Sequence, residues 1–166
     1  MNRTGQIGIV HSRRGFWGKL VQVVTRSHWN HTVIAINAVE CVSAEPGGAV
    51  RRPIAYYSGE DVVWSQFDLT VPQRRNITGW TVQHIGVEYN TADFILAGVA
   101  SITGRATPMW VRRIVATPDR LICSQLCDYA YQAGSLPLFD DRRPVGAVTP
   151  ADFGALFLTR GWTDKD

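Results

Sequence analysis

Two β-prone runs stand back to back early in the chain, residues 31–38 and 39–44, and the second ends at the turn Pro46-Gly47-Gly48. Thr32, Val33, Ile34 and Ile36 favour an extended backbone because branched side chains fit a pleated surface better than a helix. Adjoining strands of this kind pair antiparallel, so the fold has an antiparallel sheet with an apolar face to cover. Residues 6–10 read as a further short buried strand, and residues 11–15 as a loop. Residues 61–69 read as another strand, with Val63, Ser65, Phe67 and Leu69 on one face.

The cover comes from helical patterns. Phe16, Leu20, Val23 and Val24 recur at helical spacing after the loop, and residues 27–30 break the pattern before the first β run. Thr70 followed by Pro72 opens a helix that ends near Gly86. Asn90 or Thr91 caps a helix running to about residue 102, with Phe94, Ile95, Gly98 and Val99 together. Residues 104–118 are irregular and basic. A helix over residues 121–133 ends at Gly134 as its C′ residue. Thr149-Pro150-Ala151-Asp152 starts a last helix that runs to about residue 159 and buries Phe153, Leu156 and Phe157. The sum is an α+β fold, a small antiparallel sheet with helices on one side, in one domain over residues 1–166.

Hydrophobic residues are 45% and charged residues 19% of 166, which excludes a disordered chain and is enough for one core. No apolar run is long enough to span a bilayer. The first residues carry no apolar leader, so the expected location is the cytoplasm, with the cell wall reachable only by another route. Three cysteines make no disulfide framework. The net charge, 17 minus 14 or +3, is ordinary solubilising charge. Five arginine pairs (13–14, 51–52, 74–75, 112–113 and 142–143) lie near Trp17, Trp80 and Trp110, but no motif gathers them. A nucleic-acid binder is therefore the alternative outside enzymes, and nucleic acid is not the expected partner.

Cys123 carries the chemistry. In the first turn of its helix the thiol lies at the positive end of the dipole, which favours the thiolate. The competing role is packing, since free cysteine is commonly buried; Cys127, beside Leu126 and Ala130, and Cys41, in a strand, are read that way. A cysteine nucleophile needs a base and a group to orient that base. Of four histidines, His31 stands at the head of an apolar β run, where a polar residue is costly unless used. His11 and His84 have no pattern around them. His28 with His31 would suggest a metal, but no further ligand lies at metal-like spacing. On the following strand Cys41, Ser43 and Glu45 share a face. Glu45 suits the orienting role by charge and Ser43 by hydrogen bonding, while a solvated Glu45 beside the turn is the alternative.

In order, the chain has a strand with Gly8, a helix, residues 27–36 (SHWNHTVIAI), 43–50 (SAEPGGAV), 86–90 (GVEYN), 122–126 (ICSQL) and 148–153 (VTPADF). This series resembles the circularly permuted branch of the NlpC-type, papain-like cysteine peptidases and amidases, distant relatives of lecithin:retinol acyltransferase. In that branch the histidine opens an early strand and the cysteine a late helix, the order found here. The resemblance spans residues 6–157. It implies a papain-like fold, Cys123 as nucleophile, His31 as general base, and Tyr89 near the substrate. The family often places an acid directly before an alanine and a glycine-rich turn. That slot holds Ser43 here, with Glu45 two places on, and Glu45 is taken as the third member. The implied activity is acyl transfer from an amide or ester without metal or cofactor. The implied partners are peptide or acyl-amide substrates, cell-wall fragments of phage or bacterial hosts among them. An acyltransferase or thioesterase, or a binding module that keeps the fold without turnover, are the alternatives.

Overall fold

Ile7, Ile9 and Val10 build the first strand, β1 (Ile7–His11), of a five-stranded antiparallel sheet with β2 (His31–Ala35), β3 (Glu40–Glu45), β4 (Gly48–Pro53) and β5 (Asp61–Trp64). The computed structural model describes residues 2–12, 27–45, 47–87, 123–139 and 148–165. The helices expected over residues 16–25 and about 90–102, the basic stretch 104–118, and Tyr89 lie outside them. The strand order is β4-β3-β2-β1-β5. Val33 pairs with Ser43 and Ala35 with Cys41, so the two adjoining runs do form neighbouring antiparallel strands.

Two departures from expectation concern strand ends. β2 stops at Ala35, because Asn37 Oδ1 accepts from the backbone N–H groups of Val39 and Glu40 and tightens a turn between the runs. β5 stops at Trp64 because side chains take over the pairing. Ser65 Oγ accepts from Ile7 N, and Gln6 Oε1 accepts from Phe67 N. The expected face persists beyond the ladder, since Val63, Phe67 and Leu69 all pack into one core.

A third departure is β4, which no sequence pattern announced. Arg51-Arg52-Pro53 looks like a basic loop, yet it alternates along an edge strand, where a proline is tolerated. The hairpin is closed by Gly47 and Gly48, both at positive φ (100° and 129°). Gly48 also lies so near the Val87 carbonyl that a Cβ would stand 3.0 Å from its oxygen.

The helices α1 (Val71–Gln83), α2 (Cys123–Ala133) and α3 (Pro150–Thr159) cover one sheet face. Ile7, Ile9 and Ile34 from that face meet Ile77 of α1, Cys127, Ala130 and Tyr131 of α2, and Phe153 and Phe157 of α3. Val10, Val33 and Cys41 line the opposite face, covered by a short 3-10 turn, Ile54–Tyr57. Capping boxes close the starts of α1 (Thr70 with Gln73) and α3 (Thr149 with Asp152), as their sequences imply.

The C-terminus of α2 differs in detail. Gly134 is its last, C-cap position, and the left-handed residue is Ser135 (φ 55°). The bonds Leu136 N to Tyr131 O and Ser135 N to Gln132 O close it as a Schellman motif. Gly134 is glycine for space instead, because a Cβ there would meet Ile77 Cγ1 at 2.6 Å. Among the described residues no helix is long and apolar enough to cross a membrane.

Candidate active site

Cys123 is the first residue of α2, and α2 is pinned to the rest of the fold at several points. Ser124 Oγ donates to the Val148 carbonyl, Cys127 Sγ lies 3.4 Å from Thr32 Oγ1, and Tyr131 OH donates to the Gly5 carbonyl at 2.8 Å. Around Cys123 pack Val42, Ala44, Ala49 and Leu126, and only 3% of its surface is exposed. The helix start is thus delivered to the end of β2, where His31 opens the strand.

His31 meets partners from both faces of the sheet. Its Nε2 lies 2.8 Å from Ser43 Oγ, on the β3 face that carries Cys41. It also interacts electrostatically with Cys123, whose helix packs on the other face. Burial works against a charged imidazole, but the Cys123 sulfur, with a smaller contribution from Glu45, raises the His31 pKa above its ordinary value. Burial equally opposes a thiolate. The neighbouring His31, helped by the backbone and side chain of Thr32, overrides it and lowers the Cys123 pKa. Each group therefore favours the ionised form of the other, a thiolate–imidazolium pair.

The other thiols behave oppositely. Burial, with Glu45 next, pushes Cys41 up to about 12, and burial pushes Cys127 higher still. Both are packing residues, in line with the sequence.

Of the two candidates on the β3 face, Ser43 is the one brought to His31. Counting along the register from Val33 and Ser43 sets residue 31 opposite residue 45, yet the Glu45 carboxylate is turned to β4. There Arg52 forks it, Nε to Oε1 at 3.1 Å and Nη2 to Oε2 at 2.7 Å. Glu45 still belongs to the constellation. Burial raises its pKa, but Arg52, the Ser43 hydroxyl and the His31 charge together hold its carboxyl below the usual value. A residue that the sequence did not single out completes the group: the Tyr57 hydroxyl donates to Ser43 Oγ at 3.0 Å, with the tyrosine 5% exposed. Tyr57 follows Tyr56 in a stretch without periodicity, so no pattern marked it.

The remaining histidines lie elsewhere. His28 Nε2 is 3.2 Å from Asp61 Oδ2 and its ring stacks on His11 at 4.0 Å, while His84 Nδ1 lies 2.7 Å from the Trp80 carbonyl. Among the described residues no group of three His, Cys, Asp or Glu side chains is arranged to hold a metal. No protein-family model matches this chain, and no curated protein matches it.

Proposed function

We propose that the chain is a cysteine hydrolase of amide bonds with a permuted papain-like arrangement, Cys123 acting as nucleophile and His31 as general base. The observation that carries this is the reciprocal pair at the helix start: one buried thiol of three is favoured as thiolate, beside one histidine favoured as imidazolium. Stored ion pairs of this kind are what a thiol nucleophile requires near neutral pH.

In the reaction the Cys123 sulfur attacks the amide carbonyl carbon, and the oxygen becomes an oxyanion. The backbone N–H of Cys123, at the start of α2, is the group proposed to hold it. Collapse breaks the C–N bond, His31 hands its proton to the departing amine, and an acyl thioester remains. Water then gives a proton to His31 as its oxygen attacks the thioester. The acid leaves, and the proton restores the pair. Peptide amides, cell-wall peptides included, are the substrate class to which the sequence resemblance points.

The test is acyl transfer itself. Given p-nitrophenyl acetate at neutral pH, the protein should release a stoichiometric burst of nitrophenol and carry a thioester-bound acetyl group on Cys123. Cys123→Ala should abolish both. Acetylation confined to lysine side chains would overturn the proposal. Cell-wall peptides and small amides, screened with the same pair of proteins, then identify the substrate.

A further inference from the structure

The sheet face that carries His31 continues past it. Val10 pairs with His31 on one side and with Val62 on the other, so the three stand in one row across β2, β1 and β5. Directly paired residues share a face, and two strand spacings set Val62 about 10 Å from His31. The next row on that face runs Ser43, Val33, Gly8, Trp64. Gly8 leaves a gap there, since a Cβ would stand 3.0 Å from Val33 Cγ2 and 3.1 Å from Trp64 Cζ3. The indole therefore leans over β1 into space that any other residue would fill.

Residues 54–60 fold over this part of the face and are held at three points. Ile54 N donates to the Val39 carbonyl at 2.8 Å, Tyr57 OH to Ser43 Oγ at 3.0 Å, and Glu60 N to the Tyr57 carbonyl at 3.0 Å. Between them and β5 lies a pocket of about 290 Å³, walled by Ile54, Ala55, Tyr57, Val62 and Trp64, with Glu60 as its charged group. Ile54, Val62 and Trp64 are only half-buried, so apolar surface is open to a ligand. The volume is at the lower limit for ligand pockets, roughly 300 Å³, and suits one group rather than a whole ligand. A carboxylate on the wall disfavours an anionic group. The Tyr57 ring belongs to both places, its centroid standing 6.3 Å from that of His31.

We propose that this pocket is a specificity subsite for a neutral apolar group of the substrate, an aromatic ring or a branched chain, about three extended residues from the cleaved bond. Its role toward a substrate rests on the hydrolase reading, whereas its preference for an apolar group does not.

Binding is read in Cys123→Ala, which lacks the nucleophile. N-acetylphenylalanine methylamide should shift the Trp64 indole N–H and the Ile54 methyl signals in a saturable way, and its glycine analogue should not. Val62→Trp fills the pocket from a strand that fixes the side-chain direction, and should abolish both shifts. Ala55→Trp fills it from the opposite wall and takes its place if the strand variant does not fold. No saturable shift, an equal shift with the glycine analogue, or shifts that survive in a folded, filled variant would each overturn the inference. Specificity is read with Cys123 intact, on glycine peptides carrying one phenylalanine at successive positions on either side of the bond. One position should raise kcat/KM about tenfold or more, as expected for burying such a side chain, and filling the pocket should remove the gain. A flat profile in a protein that cleaves these peptides would also overturn the inference. Binding as described in a protein that cleaves none of them and forms no acyl thioester would instead sink the hydrolase reading and leave the apolar preference standing.

Discussion

At the residue scale the account depends on which charges survive burial. For His31 the folded pKa is raised, so its contribution to the pair is full below the ordinary imidazole value and is lost as pH climbs through the raised one. For Cys123 the folded pKa is lowered, so its contribution is lost as pH falls through the depressed value. The ionised pair occupies the window between them. His31→Ala removes the cation but leaves the thiol buried, which returns Cys123 to or above its ordinary value. Its alkylation at pH 6 should then fall, by about tenfold for each pH unit that the thiol's pKa rises. Ser43→Ala should cost about 1–3 kcal/mol of folding stability in urea melts, because Tyr57 OH is left buried and unpaired. A melt unchanged by that substitution would show that the Tyr57–Ser43 bond is not made. Cys123 and His31 were legible because the chemistry and the local structure point the same way: a thiol opening a helix and an imidazole opening a strand. Tyr57 was not legible, since its role arises only when residues 54–57 fold across the far side of the sheet.

At the element scale, two glycines inside helices make a matched pair. Gly79 in α1 has open space where a Cβ would go, whereas a Cβ at Gly154 in α3 would stand 2.6 Å from Trp29 Cδ1. Trp29 is fully buried and its Nε1 donates to the Lys165 carbonyl at 3.2 Å, so the ring has nowhere to withdraw. Gly79→Ala should stabilise the fold by about 0.5–1 kcal/mol through helix propensity. Gly154→Ala should destabilise it by about 1–3 kcal/mol through overpacking, which outweighs the same propensity gain. Thermal melts that move the same way for both would contradict this packing. Trp29 stands two residues before His31, so Gly154→Ala should also slow Cys123 alkylation. The helix starts at Thr70 and Thr149 could be read directly, because a capping box is a local device. β4 could not, because its partner β3 and the Val87 carbonyl against Gly48, rather than its own residues, decide that it is a strand.

At the scale of the whole molecule, charge and architecture separate the competing functions. Of the arginine pairs within the described residues, Arg51 lies 3.8 Å from Glu40, Arg52 is forked onto Glu45, and Arg74 donates to the Thr4 carbonyl at 2.6 Å. These side chains are engaged with their own chain, and binding to duplex DNA should accordingly be weak and nearly flat against salt. A steep linear fall of log affinity with log salt would favour the nucleic-acid alternative. The architecture, by contrast, converges on one place. The sheet end, the start of α2 and the face behind β3 contribute His31, Cys123 and Ser43 to a single cluster, and burial holds the other two cysteines as neutral thiols. The most direct measurement is therefore to treat the native protein with iodoacetamide at pH 6 and map the adducts by mass spectrometry. The account predicts rapid modification of Cys123 with Cys41 and Cys127 untouched, and equally slow modification of all three would contradict it.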